Sequence, residues 1–213
     1  MPPSTSPASL PPPEATAPFA LDAFYRLHAS IYDWTRPFLL FGRQDAVRAL
    51  APRPGERVLD VGCGTGWSLP RLQAAGARVI GIEPCAPMRR QAALRLERHR
   101  LDGVVELDPR PYGSHSEYEG TADAVLFSYS LSMIPRFPEV LERARRDLRP
   151  GGIIAVVDFL DALGPVASGL RRSHVHLGPD RLAALRRAFA PAREEVRSVG
   201  LWRFFVFGGL RGA

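Results

Sequence analysis

Val58-Leu59-Asp60-Val61-Gly62-Cys63-Gly64-Thr65-Gly66 reads as a short buried strand that ends in an acidic residue and runs into glycines at alternate positions. The helical stretch Trp67 to Ala75 follows and is closed by Gly76. Glycine costs little at positive φ and lets a ligand come close to the backbone, so strand, glycine loop and helix together read as a binding loop. A dinucleotide fingerprint, G-x-G-x-x-G, requires glycine where this chain has Trp67, which disfavours that cofactor. The bland alternative is a tight turn without a ligand. Against it stands Glu83, 19 residues beyond Gly64 and just past the next strand, Arg78 to Ile82, where a carboxylate accepts hydrogen bonds from both hydroxyls of a ribose.

Working outward, Pro87 suits a first helical turn, and Met88, Ala92, Leu96 and His99 continue one helical face. A third strand is expected at Val104 to Leu107, then a polar, turn-rich segment from Pro109 to Gly120, then a fully buried strand at Ala122 to Phe127. Phe137, Val140, Leu141, Ala144 and Leu148 mark a helix, Pro150-Gly151-Gly152 a turn, Ile153 to Val157 a strand, and Leu182, Leu185 and Phe189 another helix. Glu195 to Val199 and Leu201 to Phe207 are β-rich runs broken by Gly200. The alternation predicts an α/β, doubly wound, seven-stranded and mostly parallel sheet with an antiparallel C-terminal strand pair. Residues 1 to 18, rich in Pro, Ser and Ala, read as a disordered tail, and residues 19 to 213 as one domain. Leu21, Phe24, Tyr25, His28 and Tyr32 share a helical face, and a second helix is expected from about Pro37 to Leu50.

The chain has 213 residues, 46% of them apolar, enough for one sizeable core. It contains no lysine, so its 28 basic residues are arginines and its formal charge is +6. Many of them alternate with carboxylates, as in Arg95, Glu97 and Arg98 or Glu142, Arg143, Arg145, Arg146 and Asp147, the pattern of solvated helix faces rather than of a nucleic-acid groove. Cys63 and Cys85 form no disulfide framework, and no metal-ligand spacing joins them to the five histidines. The apolar run Gly152 to Val157 is too short to cross a bilayer and no signal-peptide pattern opens the chain, so a cytoplasmic location is expected.

The glycine loop and Glu83 resemble the signature of class I S-adenosylmethionine (SAM)-dependent methyltransferases, whose Rossmann-like strand order matches the pattern from about Leu21 onward. By that resemblance SAM is the cofactor. Asp60, Gly62, Gly64 and Gly66 would line its methionine part, with Cys63, Pro84 and Ser128 completing the site, Glu83 on the ribose and Asp108 on the adenine amine. Asp108-Pro109-Arg110-Pro111-Tyr112 is similar to the [DN]-P-P-[YF] box of enzymes that methylate planar amino groups, but that box follows strand four, where this chain has Ser128-Tyr129-Ser130-Leu131.

Tyr25 to Asp33, Phe41-Gly42-Arg43, Ser128 to Pro135, Val156 to Phe159 and Val175-His176-Leu177 resemble the diacylglyceryl-homoserine N-methyltransferases of betaine-lipid synthesis, with Ser130, Ser132 and Pro84-Cys85 as departures. The implied acceptor is the amine of a lipid headgroup, reached through peripheral contact of the apolar run Phe38 to Phe41 with the inner face of the membrane. Phospholipid N-methylation, small-molecule N- or O-methylation in secondary metabolism and a SAM-binding module without activity remain as alternatives. Methyl transfer from a sulfonium to an amine needs alignment and a group to take a proton, for which the order of preference is His28, His174, His176, Asp158. Tyr25, Tyr32 and Tyr129 would offer aromatic faces to a quaternary ammonium. His28, Tyr129 and Tyr32 are thus the candidate catalytic residues, and Tyr25, His174, His176 and Asp158 candidate contacts to the substrate.

Overall fold

The central strand β1 (Arg57–Val61) is buried from Val58 onward and pairs in parallel with β2 (Arg78–Ile82) on one side and β4 (Ala122–Ser128) on the other. The computed structural model describes residues 40–134 and 136–212, so the expected tail, the face carrying Tyr25, His28 and Tyr32, and residues Phe38 and Leu39 lie outside the described residues. Seven strands run in the order β3-β2-β1-β4-β5-β7-β6, with β3 at Glu106–Asp108, β5 at Leu148–Ala162, β6 at Ala190–Val199 and β7 at Trp202–Leu210. The first five in that order are parallel, and β7 runs antiparallel to both β5 and β6. From β1 the chain winds outward through β2 to β3, and from β4 it winds the other way to β5. Neighbouring strands whose connections leave in opposite directions open a crevice at their carboxyl ends, and here that point is β1/β4.

Both sheet faces are covered, which is why the strands read as continuous apolar runs. Val58, Val79, Ala124, Ala155 and Val206 pack with Ala46, Leu69, Leu72 and Ala92 from α1 (Arg43–Leu50), α2 (Leu69–Ala74) and α3 (Ala86–Arg98). Their alternate neighbours Leu59, Ile80, Val125, Ile154 and Phe205 pack with Leu141, Leu182 and Leu185 from α4 (Phe137–Asp147) and α6 (Asp180–Ala188). The split follows the two-residue period of the strand.

Several expected boundaries move. Among the described residues the helix expected from Pro37 starts only at Arg43, because Gly42 sits at φ 77° and a Cβ there would meet a Phe204 ring carbon at 2.5 Å. Strand β3 begins two residues late, after a turn at Gly103 that leaves Val104 exposed. Strand β5 outruns the expected Ile153 to Val157 because β7 pairs along it as far as Ala162 with Trp202. Helix α5 (Gly164–Arg172) was not foreseen; only Ala167 is fully buried, with Leu170 partly buried against the same core, so its apolar stripe is short. The outer strand β6 starts at Ala190, not Glu195, and is largely solvated; Arg193, Glu195 and Arg197 pair along it, the charged dressing of a protected sheet edge.

Candidate active site

A cleft of about 290 Å³ opens at the carboxyl ends of β1, β2 and β4. Its floor is the glycine loop, where Gly62, Gly64 and Gly66 stand at φ 69°, 59° and 74°. Such angles strain any residue with a Cβ. At Gly62 the space is also closed: a Cβ would lie 2.6 Å from that of Ser130. The loop is pinned to the neighbouring strand, since the N–H groups of Gly62 and Cys63 both donate to the carbonyl of Ile82, at 2.8 and 3.2 Å.

Glu83 is set by the same local chain. Its Oε2 accepts the Gly64 N–H and its Oε1 the Cys85 N–H, both at 2.9 Å, and its side chain borders the cleft. Glu83 is thus held by two main-chain donors at the border of the cleft, at the end of β2. Gly62, Cys63, Gly64, Glu83, Pro84 and Ser128 all border the cleft where the sequence placed them.

Three other cofactor candidates do not. Asp60 is fully buried behind the loop, its Oδ2 bonded by the Ser68 hydroxyl and its Oδ1 without a hydrogen-bond partner among the described residues. Burial pushes its carboxyl up to about 7, with Glu83 adding to the rise and Ser68 and Arg43 opposing it. Gly66 faces away from the cleft: a Cβ there would press on Ala92 and Leu69 at 3.1 Å, so its role is the close packing of α2 and α3. Asp108 is committed elsewhere. Its carboxylate accepts from Arg110 N–H, Nε and Nη2 at 2.8, 2.9 and 2.9 Å and from the Tyr118 hydroxyl at 2.6 Å, with His115 Nε2 at 3.3 Å. Burial works against ionisation there, but these bonds hold the carboxyl well below the usual range. The loop after it contributes Pro111 and Tyr112 to the cleft in place of Asp108.

Tyr129 lines the opposite wall at φ 56°, a strained setting for a residue with a side chain and one that favours a site over a plain strand end. Its N–H donates to Val157, its hydroxyl to the Phe41 carbonyl at 2.7 Å, and its ring lies 4.6 Å from that of Phe159. Burial, with Asp158 nearby, pushes the phenol up, so it stays neutral. The other substrate candidates are not brought in. His174 and His176 are exposed and do not border the cleft. Asp158 is fully buried, its oxygens accepting the N–H groups of Ser132 at 2.7 Å and Phe159 at 2.8 Å, and burial pushes it up to about 6. Tyr25, His28 and Tyr32 lie outside the described residues.

Sequence reasoning passed over Arg43 and Trp67 as site residues. Both border the cleft, and the guanidinium carbons of Arg43 and Arg71 lie 4.3 and 3.8 Å from the Trp67 ring centroid. Trp67 had been read only for the glycine it replaces; cation–π contact across 24 residues leaves no local pattern. Ile82, Met88, Met133, Ile134 and Val140 make the remaining wall apolar. A lining of this kind can align reactants and keep water out.

The residue set fits SAM. A doubly anchored carboxylate suits its ribose, an apolar wall its adenine, an unsatisfied buried carboxylate oxygen lies behind the loop, and the cleft is of ligand size, where pockets begin at roughly 300 Å³.

Comparison with known proteins agrees. The family described as methyltransferase domain matches residues 36–207. Nocamycin O-methyltransferase of Saccharothrix syringae is 36% identical over 169 residues, covering 76% of this chain and 57% of that protein. Demethylmenaquinone methyltransferase of Clavibacter sepedonicus is 32% identical over 153 residues, 67% of this chain and 59% of that protein. The chain thus spans less than two thirds of the length of these relatives. Among solved structures, Burkholderia thailandensis 1,6-didemethyltoxoflavin-N1-methyltransferase, with bound 1,6-didemethyltoxoflavin and S-adenosylhomocysteine, superposes with a TM-score of 0.70 at 21% identity, over 98% of this chain and 94% of that one. A geranyl diphosphate methyltransferase in complex with GPP and sinefungin gives 0.68 at 18% identity, over 79% and 76%. At these identities the structures share the fold. A family match over most of the chain, on a sheet of this order, means that the chain belongs to the methyltransferase domain family and has the class I SAM-dependent methyltransferase fold.

Proposed function

We propose that the chain transfers the methyl group of SAM to a small, largely apolar acceptor. The observation that carries the reading is Glu83, fixed by two backbone donors beside a glycine loop in an otherwise mostly apolar cleft. SAM supplies an electrophilic methyl on a sulfonium. The residues of this chain do the rest: Glu83 takes the ribose, the glycine loop lets the ligand approach the backbone, and Trp67, Tyr129 and Met133 shape the space in which a nucleophile must line up behind the methyl. The relatives whose names record quinone and natural-product acceptors favour an acceptor of that kind.

A second reading, methylation of a lipid headgroup amine, is favoured by one feature. Phe41 and Leu163, 40% and 68% exposed, and Leu201, 48% exposed, stand with half-buried Trp202 as an apolar rim near Tyr129. Such a rim suits an acceptor delivered from a bilayer.

The test begins with calorimetric titration of SAM and S-adenosylhomocysteine into wild type and Glu83→Ala. Wild type is expected to bind, and the variant at least tenfold more weakly, about 1.4 kcal/mol. Methyl transfer is then assayed with a naphthoquinol, a phenol, a soluble primary amine and diacylglyceryl-homoserine in anionic vesicles. Turnover confined to the soluble acceptors favours the first reading and turnover confined to vesicles the second. Absence of binding in wild type overturns both, and binding without any turnover leaves a SAM-binding module.

A further inference from the structure

Immediately after Tyr129 and Ser130 the chain makes a single 3-10 turn, Leu131–Met133, which carries Met133 into the cleft on the side of the Tyr129 and Phe159 rings. One such turn has poor hydrogen-bond geometry and holds its own shape weakly. Here three of its peptide groups are met by distant partners. The Ser132 N–H donates to Oδ2 of Asp158 on β5 at 2.7 Å. The Leu131 carbonyl accepts from Nε of Arg181 on α6 at 3.1 Å. The Ser132 carbonyl accepts the His176 N–H at 2.9 Å.

The two side chains are themselves fixed. Asp158 is wholly buried and its second oxygen takes the Phe159 N–H; Arg181 is 5% exposed, donates through Nη1 to the His176 carbonyl at 3.1 Å and lies 4.6 Å from the Phe137 ring centroid. Asp158 and Arg181 form no salt bridge with each other; each spends its charge on main-chain atoms of the turn or its flanks. Burying two opposite charges without direct pairing costs several kcal/mol, offset here by their mutual attraction and by the main-chain hydrogen bonds each makes. On the far side Ser130 donates to the Val61 carbonyl at 2.6 Å and packs on Gly62. A continuous set of contacts therefore runs from α6 through the turn to the glycine loop.

The sheet order says what this turn faces. The cleft runs from Glu83 at the end of β2 past the glycine loop after β1 to Tyr129, Ser130 and Met133 after β4, so a ligand whose ribose sits at Glu83 has the turn at one end of its cleft. We infer that Asp158 and Arg181 are positioning residues for the methyl acceptor: they lock the turn so that Met133 stands as a fixed wall against it. This rests on the proposed methyl transfer. It also recasts the segment around His176, which serves through its backbone rather than its imidazole.

Hydrogen exchange on the full chain, with S-adenosylhomocysteine bound, tests the inference in Asp158→Asn and in Arg181→Lys, the second keeping the charge should the first fold poorly. Expected is at least a tenfold loss of protection confined to residues 130–134, with the glycine loop and the affinity for S-adenosylhomocysteine within threefold of wild type. For whichever acceptor wild type turns over, KM should rise at least tenfold while kcat stays within threefold. Unchanged protection at 130–134, or an equal loss across the whole chain, overturns the inference, as does an unchanged KM. Failure of S-adenosylhomocysteine to bind wild type strikes the proposed function instead, and the exchange comparison without ligand still decides whether the turn is held.

Discussion

The glycine loop after β1 and the turn after β4 touch, Ser130 against Gly62, yet they are held by different means. The loop depends on its own residue types, three positive φ angles, and on bonds to Ile82 and Glu83 in the adjacent strand. No glycine marks the turn, which depends on partners 26 and 50 residues away. One is a backbone requirement written locally; the other is a side-chain tie that exists only once α6 and β5 are packed. The contrast predicts that changes in the loop act on cofactor binding and changes around the turn on the acceptor.

Gly62→Ala should break the loop most severely, because the new Cβ meets both the positive φ and Ser130. A loss of S-adenosylhomocysteine affinity of at least a hundredfold, about 2.7 kcal/mol, is expected by calorimetry. Adding Ser130→Gly removes the clash but not the strain, and should recover part of that loss. Wild-type affinity in the single variant would mean that the loop and the turn are free to separate.

A smaller effect sharpens the electrostatic side of the comparison. Asp60 is pushed up to about 7 by burial, above its ordinary value, so the folded chain favours the protonated form and ionisation opposes folding. The stability contribution is therefore present at low pH and is lost as pH rises from the ordinary carboxylate range through about 7. Asp60→Asn lacks that loss. Between pH 5 and 8 its stability in urea should gain on wild type by about 2 kcal/mol. Asp158, raised in the same direction, is common to both proteins and cancels. Parallel stability curves would refute a buried protonated Asp60.

Smallest is Tyr129→Phe, which keeps the ring on Phe159 and removes only the bond to the Phe41 carbonyl. A loss of about 1 kcal/mol in thermal unfolding is expected, with S-adenosylhomocysteine affinity unchanged. A parallel fall in that affinity would place the wall and the loop in one cooperative unit, against the division drawn above.

Much of this was legible beforehand. Strand β2 fell at Arg78–Ile82 as read, and the sheet class and its antiparallel end followed from period and order. The lining at Gly62, Gly64 and Glu83 was readable because a ligand-approached backbone needs glycine and a ribose needs a carboxylate at a strand end. Helix α5 and the start of β6 were not, since the first buries only a short stripe and the second none.

For this chain, then, the strand and helix periods along the sequence determined the sheet, and the residue types in positions 58 to 66 and at Glu83 determined one border of the cleft, because φ and strand period are local requirements. Tertiary structure alone decided which polar side chains face the cleft. Asp60 and Asp108 stand at or beside strand ends, and Asp158 stands just past the expected end of β5 though inside the observed strand; Ser68, Arg110 with Tyr118, and the turn at Ser132 draw them away from the cleft. A buried carboxylate turns toward the donors folding brings within reach, and here these range from Arg110, two residues from Asp108, to Ser132, 26 residues from Asp158.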